Sequence, residues 1–413
     1  MTAPAAAPPR REKVAFLITL ARALHSLGSP AHRLEGSLAQ IASGLGVPGQ
    51  FFATPTAIFA ALGEGEANET ILIRAEPGST DLERLCLVED VMQDVEARRM
   101  TPREARERVD AVMAGPDRYP SALVPLAFAL ASAAAARFFG GGVPEVVTAG
   151  AVGLVIGLLS LLPGPLPAFR GLFEAVAAVV AAATATALSR PEGFAGLPGV
   201  AGHVVILAGL IVLIPGLSLT VSMTELATRN LVCGSARLAG ALTVFLTLGF
   251  GVALGQWLGR AAFGLAVALE PVALPAWTEL PSLMVSAAAF LVLFRARPRD
   301  YGWILLAAWG ALAGARLGSQ LLGPQLGAFF GALLVGSGSN LLARLRGRPA
   351  AVTQLPGLML LVPGSLGFNS VASLLAEDVQ VGVQAAFTMT LVAAALVTGI
   401  LLANVVVPPR RLL

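Results

Sequence analysis

Residues 209–234 read GLIVLIPGLSLTVSMTELATRNLVCG, and residues 357–382 read GLMLLVPGSLGFNSVASLLAEDVQVG. Set against each other at an offset of 148 positions, the two stretches share eight identities in 26 residues without a gap. Pro215 falls on Pro363, Gly216 on Gly364 and Ser222 on Ser370. Each stretch is an apolar run interrupted by Pro-Gly. Proline removes a backbone donor and glycine admits non-helical angles, so both runs predict a helix broken inside a hydrophobic span. Lipid offers backbone polar groups no partner, and such a break is tolerated only where protein or a wet cavity satisfies it.

The remainder of the chain suits that setting. Of 413 residues, 56% are hydrophobic and 13% charged, about half the charge of a soluble globular protein, and the mean hydropathy is +0.77. The charge is uneven. Residues 1–120 hold 13 Lys/Arg and 16 Asp/Glu, whereas residues 121–413 hold 15 and 9. Three parts follow: a water-exposed region at 1–120 and two membrane parts at 121–262 and 263–413.

About ten spans are predicted from runs near the 20 residues a crossing helix needs. They are Ala122–Phe139, Val146–Leu162, Leu172–Leu188, Val200–Ser222, Leu238–Leu258, Pro281–Phe294, Tyr301–Gly318, Pro324–Leu342, Leu355–Leu375 and Val381–Val407. The sixth and seventh are short. The repeat joins the fourth span to the ninth, five spans apart. Five is odd, so two five-helix halves would face opposite ways, the inverted repeat of many secondary transporters. With the N-terminal region inside, the inner connections and the C-terminal tail carry eleven arginines: Arg170, Arg229, Arg237, Arg295, Arg297, Arg299, Arg344, Arg346, Arg348, Arg410 and Arg411. The outer connections carry four, Arg137, Arg190, Arg260 and Arg316. The positive-inside rule therefore places both termini in the cytoplasm of a multi-pass, bacterial-type plasma membrane protein.

The N-terminal region reads as a small α+β domain. Helical periodicity covers Val14–Leu27 and His32–Leu45. Short β-like runs cover Gln50–Ala53, Thr56–Leu62 and, after the turn Gly63-Glu64-Gly65-Glu66, Thr70–Ala75. Amphipathic helices cover Asp81–Arg99 and Pro102–Met113, the latter opened by Thr101 as N-cap. The apolar run after Arg10, Arg11 and Lys13 is seven residues long, which fits an amphipathic helix better than a leader. His32 and Glu35, three apart, read as an ordinary surface pair.

Several function classes drop out. Lys13 is the only lysine and no basic block alternates with aromatics, which argues against nucleic acid. Cys86 and Cys233 lack metal-ligand spacing and read as buried thiols. No phosphate loop, Gly-x-Ser-x-Gly or HExxH occurs, so no cofactor, metal or catalytic residue is expected.

The chemistry lies at the breaks. Ser218, Thr220, Ser222 and Glu225 follow Pro215-Gly216; Ser365, Asn369, Ser370 and Ser373 follow Pro363-Gly364. Two half-helices aiming their N-termini at the midplane would hold a carboxylate through free N–H groups and the helix dipole. The bland alternative is a pair of proline kinks whose hydroxyls bond back to the helix. Glu225, His203, Glu174, Glu377 and Asp378 are the ionisable groups in or near spans and the candidates for a coupling proton. Gly153 and Gly157, Gly251, Gly255 and Gly259, and Gly327 and Gly331 mark close helix contacts.

The stretches Leu27-Gly28-Ser29-Pro30-Ala31-His32-Arg33-Leu34-Glu35 and Phe52-Ala53-Thr54-Pro55-Thr56-Ala57-Ile58, with Leu213-Ile214-Pro215-Gly216-Leu217, Leu231–Leu238 and Leu361-Val362-Pro363-Gly364-Ser365, resemble the threonine/serine exporter family over nearly the whole chain. Gly28, Arg33, Glu35, Pro55 and Thr56 fall on its signature positions. The resemblance implies export of small hydroxy amino acids, driven by the proton motive force, with a small amino acid, a proton and the bilayer as partners and a homo-oligomer left open. The alternatives are a membrane-anchored hydrolase-like enzyme, or a sensor, whose N-terminal region is the active part.

Overall fold

The computed structural model describes residues 9–63, 68–75, 78–162, 169, 171–190, 199–265, 267–375 and 377–409. The turn residues Glu64 and Glu66 and the arginines Arg170, Arg410 and Arg411 lie outside them.

The described N-terminal elements are α1 (Arg10–Ser26), α2 (Ala31–Gly44), β1 (Gly49–Thr54), β2 (Ala57–Leu62), β3 (Glu69–Arg74), α3 (Leu82–Glu96) and α4 (Pro102–Ala114). The strands form one antiparallel sheet in the order β1-β2-β3, with Thr54 opposite Ala57 and Ala57 opposite Arg74. Alternation decides its faces. Ala53, Ile58, Ala60, Leu62 and Ile73 point inward, while Phe52, Phe59 and Leu72 are exposed. Thr101 accepts from the Glu104 N–H and Glu104 accepts from the Thr101 N–H, a capping box that satisfies two free donors at the start of α4. Phe16, Leu20, Leu34, Ile41 and Leu82 are fully or almost fully buried. Their cluster runs on without interruption into Cys233, Phe290, Phe294, Ile304 and Ala351.

The rest is helical: α5 (Leu123–Phe138), α6 (Val143–Leu159), α7 (Phe173–Leu188), α8 (Gly202–Gly209), α9 (Gly216–Ala227), α10 (Leu231–Phe263), α11 (Glu279–Leu293), α12 (Tyr301–Leu322), α13 (Pro324–Arg346), α14 (Ala351–Met359), α15 (Gly364–Leu375) and α16 (Val379–Val406). Six helical stretches among the described residues are long and apolar enough to cross a membrane: Leu231–Phe263, Ala276–Leu293, Pro298–Leu321, Leu326–Arg346, Ala351–Leu375 and Val379–Val406. The helices α5, α6 and α7 are apolar and shorter. Large apolar side chains such as Trp257, Phe250 and Phe387 are exposed on outward faces, as a hydrocarbon solvent permits. The chain is a polytopic helical membrane protein.

Two elements differ from the expectation. The run Val200–Ser222 forms no single helix of spanning length, because α8 stops at Gly209 and helix resumes only at Gly216. Further on, α10 starts at Leu231 rather than Leu238. Arg229 takes a positive φ of 66° and ends the preceding turn, so helix restarts at once after Asn230.

The glycine spacings are contacts. A Cβ on Gly153, Gly157, Gly251 or Gly255 would lie 2.5–2.6 Å from an atom of the neighbouring helix, on Ser132, Pro125, Ala175 and Val179 respectively, and one on Gly327 or Gly331 would crowd α12 or Leu361. Only glycine permits these approaches.

Candidate functional site

Each broken span is a half-helix, a turn and a second half-helix starting at the glycine of Pro-Gly. The local sequence dictates this, since Pro215 and Pro363 cannot donate and end the helices that precede them. The second half-helices α9 and α15 are 12 residues each, and their ends match at the offset of 148. The match continues beyond them. Arg229 and Glu377 both have positive φ (66° and 64°). Leu226 packs on Gly234, and Leu374 packs on Gly382.

The two breaks touch. A Cβ on Gly216 would lie 2.2 Å from Val362 Cγ1 and 3.2 Å from Gly364 Cα; one on Gly364 would lie 2.6 Å from Ile214 Cγ2 and 3.2 Å from Gly216 Cα. The contact is reciprocal, each break's glycine meeting the aliphatic residue two before the other's. The first turns of α9 and α15, with their free N–H groups, therefore begin side by side.

A cavity of about 740 Å³ runs along this contact, within the range of small-molecule sites. Gly216, Gly364, Val362 and Ser365 line it. Arg137, Glu279 and Arg316 line one part, while Ser79, Thr80 and Arg295 line another. These parts are held by two groups of polar contacts. Arg316 pairs with Glu279 at 2.5 Å, and Arg137 donates to Thr278 at 2.5 Å. In the other group Arg295 pairs with Asp81 and Asp117, Arg297 with Glu83, and Tyr119 donates to the Ala296 carbonyl, so the α11–α12 connection is bound to the N-terminal elements.

The hydroxyls after the breaks divide. Thr220 donates to Gly216 O and Ser222 to Leu219 O, so these two follow the back-bonding alternative, whereas Ser370 donates across to Gly382 O on α16. Ser365 lines the large cavity, and Ser218 and Pro215 line a second one of about 360 Å³ at the seam with the N-terminal elements. Asn369 is exposed.

Glu225 is fully buried, and its partners come from afar. Arg237 on α10 holds both its oxygens, at 3.0 and 3.2 Å, and the Ala31 N–H at the start of α2 donates to it at 3.1 Å. A desolvated carboxylate needs such company. At the same offset the second half carries Ser373 and Ala385, so the ion pair belongs to one half alone. The other ionisable candidates are scattered. His203 is exposed in the first turn of α8 and Glu174 half-buried in that of α7, Glu377 is exposed, and Asp378 caps α16 through the Val381 N–H.

Gly28, Arg33 and Pro55 of the signature residues lie at the seam. Gly28 and Pro55 line the smaller cavity. Arg33 donates to Gln354 on α14 at 2.9 Å, and Glu35 accepts from the Ala53 N–H at 2.7 Å. Thr56 is exposed, and its carbonyl accepts from the Ala75 N–H. Glu35 is thus no surface partner of His32, because its face of α2 packs against β1. Burial raises the Glu35 pKa, the Ala53 N–H opposes the rise and the Glu225 charge adds to it. Burial, then the neighbouring Arg33 charge, lowers His32 to about 4.

Sequence reasoning missed Arg237 as a partner and Glu145 altogether. Glu145 is buried and accepts from the N–H groups of Gly142 and Ala201, both at 2.8 Å, tying the start of α6 to the start of α8. An acid three residues after a glycine that precedes a helix was its only signal.

Six helical stretches apolar and long enough to cross a membrane, among the described residues, define a class, the polytopic helical membrane proteins. Within it, a family model described as "Putative threonine/serine exporter" matches residues 15–258, and one described as "Threonine/Serine exporter, ThrE" matches residues 281–406. The chain belongs to the threonine/serine exporter family. It is 26% identical over 375 residues to pheromone-regulated membrane protein 10 of Candida albicans, covering 86% of this chain and 33% of that protein. Against the protein of that name from Eremothecium gossypii it is 23% identical over 384 residues, covering 86% of this chain and 48% of the relative. The chain thus spans about a third to a half of the length of these relatives. No solved structure matches it.

Proposed function

We propose that the protein is a secondary transporter that exports small amino acids, threonine or serine, from the cytoplasm, driven by the proton motive force. The observation that carries this reading is the reciprocal contact of Gly216 and Gly364 beside the large cavity, in a chain of the exporter family. The substrate carboxylate sits at the first turns of α9 and α15, after Pro215-Gly216 and Pro363-Gly364, with Ser365 beside it. Ser218, Thr220, Ser222, Glu225, Asn369 and Ser370 belong to the surrounding half-helices.

Ten spans in two inverted halves, 121–262 and 263–413, account for the matched ends of α9 and α15 and their shared offset. The α+β elements of residues 1–120 and both termini then lie in the cytoplasm of a plasma membrane. In support, the connection that binds the N-terminal elements at Arg295 and Arg297 is one that the arginine count assigns to the inside. Glu225 is the first coupling candidate, since it alone among the acids considered is fully buried beside a break.

Labelled threonine or serine counterflow in proteoliposomes tests the reading. Efflux that collapses with an uncoupler supports it; efflux that the uncoupler leaves unchanged removes proton coupling, and no counterflow of either amino acid removes the substrate.

A further inference from the structure

The outer face of the three-stranded sheet carries a row of large apolar side chains. Phe52 stands opposite Phe59, and Phe59 opposite Leu72. They are 50%, 40% and 63% exposed, and the two rings lie 6.2 Å apart between centroids. By alternation the other positions of that face are Gln50, Thr54, Ala57, Ala61, Thr70 and Arg74. The face therefore holds no acid. Its one charge, Arg74, is exposed and takes part in no ion pair among the described residues. A clustered apolar row in water marks a contact with something else.

The position of the sheet beside α10 identifies that partner. α10 has 33 residues and is about 50 Å long, whereas crossing the hydrocarbon takes about 20 residues. Residues 238–259, between Arg237 and Arg260, run for 22 positions without an ionisable group. The turns before them, Leu231 to Arg237, then stand at head-group level. The sheet is fastened at that level. Cys233 Sγ donates to the Ala53 carbonyl, and Thr54 and Pro55 of the β1–β2 turn line a cavity with Arg237 and Gly240. The β1–β2 turn thus points along α10 toward the hydrocarbon. Charge follows the same direction, since Arg74, opposite Ala57, lies at the turn end and Glu69, opposite Leu62, at the far end. Leu231 and Val232 in the first turn of α10 are exposed as well, so both elements present apolar side chains at this level.

We propose that the outer face of the sheet is a membrane-contact surface, seated on the anionic phospholipid head groups of the leaflet at which α10 begins. Phe52, Phe59 and Leu72 enter the interfacial layer, where aromatic rings are favoured, and Arg74 meets lipid phosphate. A second copy is the poorer occupant. Two such faces paired about a two-fold axis would set Arg74 against a surface without an acid. The contact does not depend on what is transported and requires only that α10 crosses the bilayer. It gives the N-terminal elements a second hold on the membrane part, through lipid, beside the seam at Glu225.

The test uses the full chain in nanodiscs of phosphatidylcholine and phosphatidylglycerol, with a nitroxide on part of the head groups. Cys86 and Cys233 are buried, so a bimane dye attaches to a cysteine introduced on the surface. Leu72→Cys places the dye on the sheet face, and Gln40→Cys places it on an exposed position of α2 as the reference. The expected result is strong quenching at position 72 and little at position 40. Arg74→Gln, or discs of phosphatidylcholine alone, should weaken the contact by about fivefold, the weight of one charge at an anionic surface. Phe52→Ser with Phe59→Ser should remove it. Where Leu72→Cys melts below the parent, Thr70→Cys on the same face takes its place. Equal quenching at positions 72 and 40 overturns the proposal. If light scattering shows a dimer and the dye at position 72 is shielded in detergent and unquenched in the discs, a second copy covers the face and the proposal fails. Threonine counterflow measured on the same protein is independent of these outcomes, so its loss touches the transport reading alone.

Discussion

Gly216 and Gly364 stand so close that a Cβ built on either lies 3.2 Å from the other's Cα, each glycine also abutting the aliphatic side chain two residues before its counterpart. The space between the two breaks is filled by absent side chains. Gly216→Ala and Gly364→Ala are each expected to lower stability by about 1–3 kcal/mol, the usual cost of overpacking, and to cut threonine efflux severely. The sharper expectation is relief. Val362→Ala removes the 2.2 Å clash of the Gly216 variant, so the double variant should melt above Gly216→Ala alone in detergent. A double variant no better than the single would place the strain elsewhere.

The Glu225–Arg237 pair should behave as a buried pair with one wet partner, Arg237 being 28% exposed. Arg237→Gln leaves a fully buried carboxylate with only the Ala31 N–H, and a loss of about 2–4 kcal/mol is expected, toward the lower side of the range for breaking buried pairs. Glu225→Gln with Arg237→Gln should cost less than the sum of the two single changes. Thermal melts of the four proteins give the coupling.

His32 sets a pH dependence. Its folded pKa near 4 lies below the ordinary value of 6.5, so the unfolded chain takes up the proton first as pH falls. Stability contributed by the neutral ring is complete above pH 6.5 and is lost as pH falls from 6.5 to about 4, amounting to at most roughly 3 kcal/mol and less where water reaches the ring. The His32→Gln variant should show a flatter melting profile across that window. An unchanged slope would mean that other groups carry it.

Orientation is open to direct labelling. Burial pushes the Cys86 thiol up to about 12, and Cys233 is buried with its thiol donating to Ala53 O, so both are inert to maleimide at neutral pH. Cysteines at two exposed positions, Gln40→Cys on α2 and Glu270→Cys between α10 and α11, should divide. In intact cells an impermeant maleimide is expected to modify Glu270→Cys alone, and Gln40→Cys only after lysis. Modification of Gln40→Cys in intact cells would reverse the topology.

The breaks, the N-terminal element order and the glycine contacts were legible because each is written in local signals: Pro-Gly in an apolar run, alternation in β1 to β3, spacing by four. The helix boundaries of α1 to α4 fall within a few residues of the periodic runs for the same reason. The partners of Glu225 were not legible. Arg237 lies on the next helix, and Ala31 lies 194 positions away, a distance at which no periodicity operates. The reading of His32 and Glu35 as a surface pair went astray similarly, because it took the exposed face of α2 for granted while β1 packs against the face that carries Glu35. Glu145 was hidden by its place at a span end, where an acid usually meets water.

The hydrogen bonds from Ala31 to Glu225 and from Arg33 to Gln354 join residues 194 and 321 positions apart. During synthesis, α2 therefore leaves the ribosome well before either of its anchors exists. Its first N–H groups and the Arg33 guanidinium have no partners here until α9 and α14 have been made, so closing the seam is a high-contact-order step.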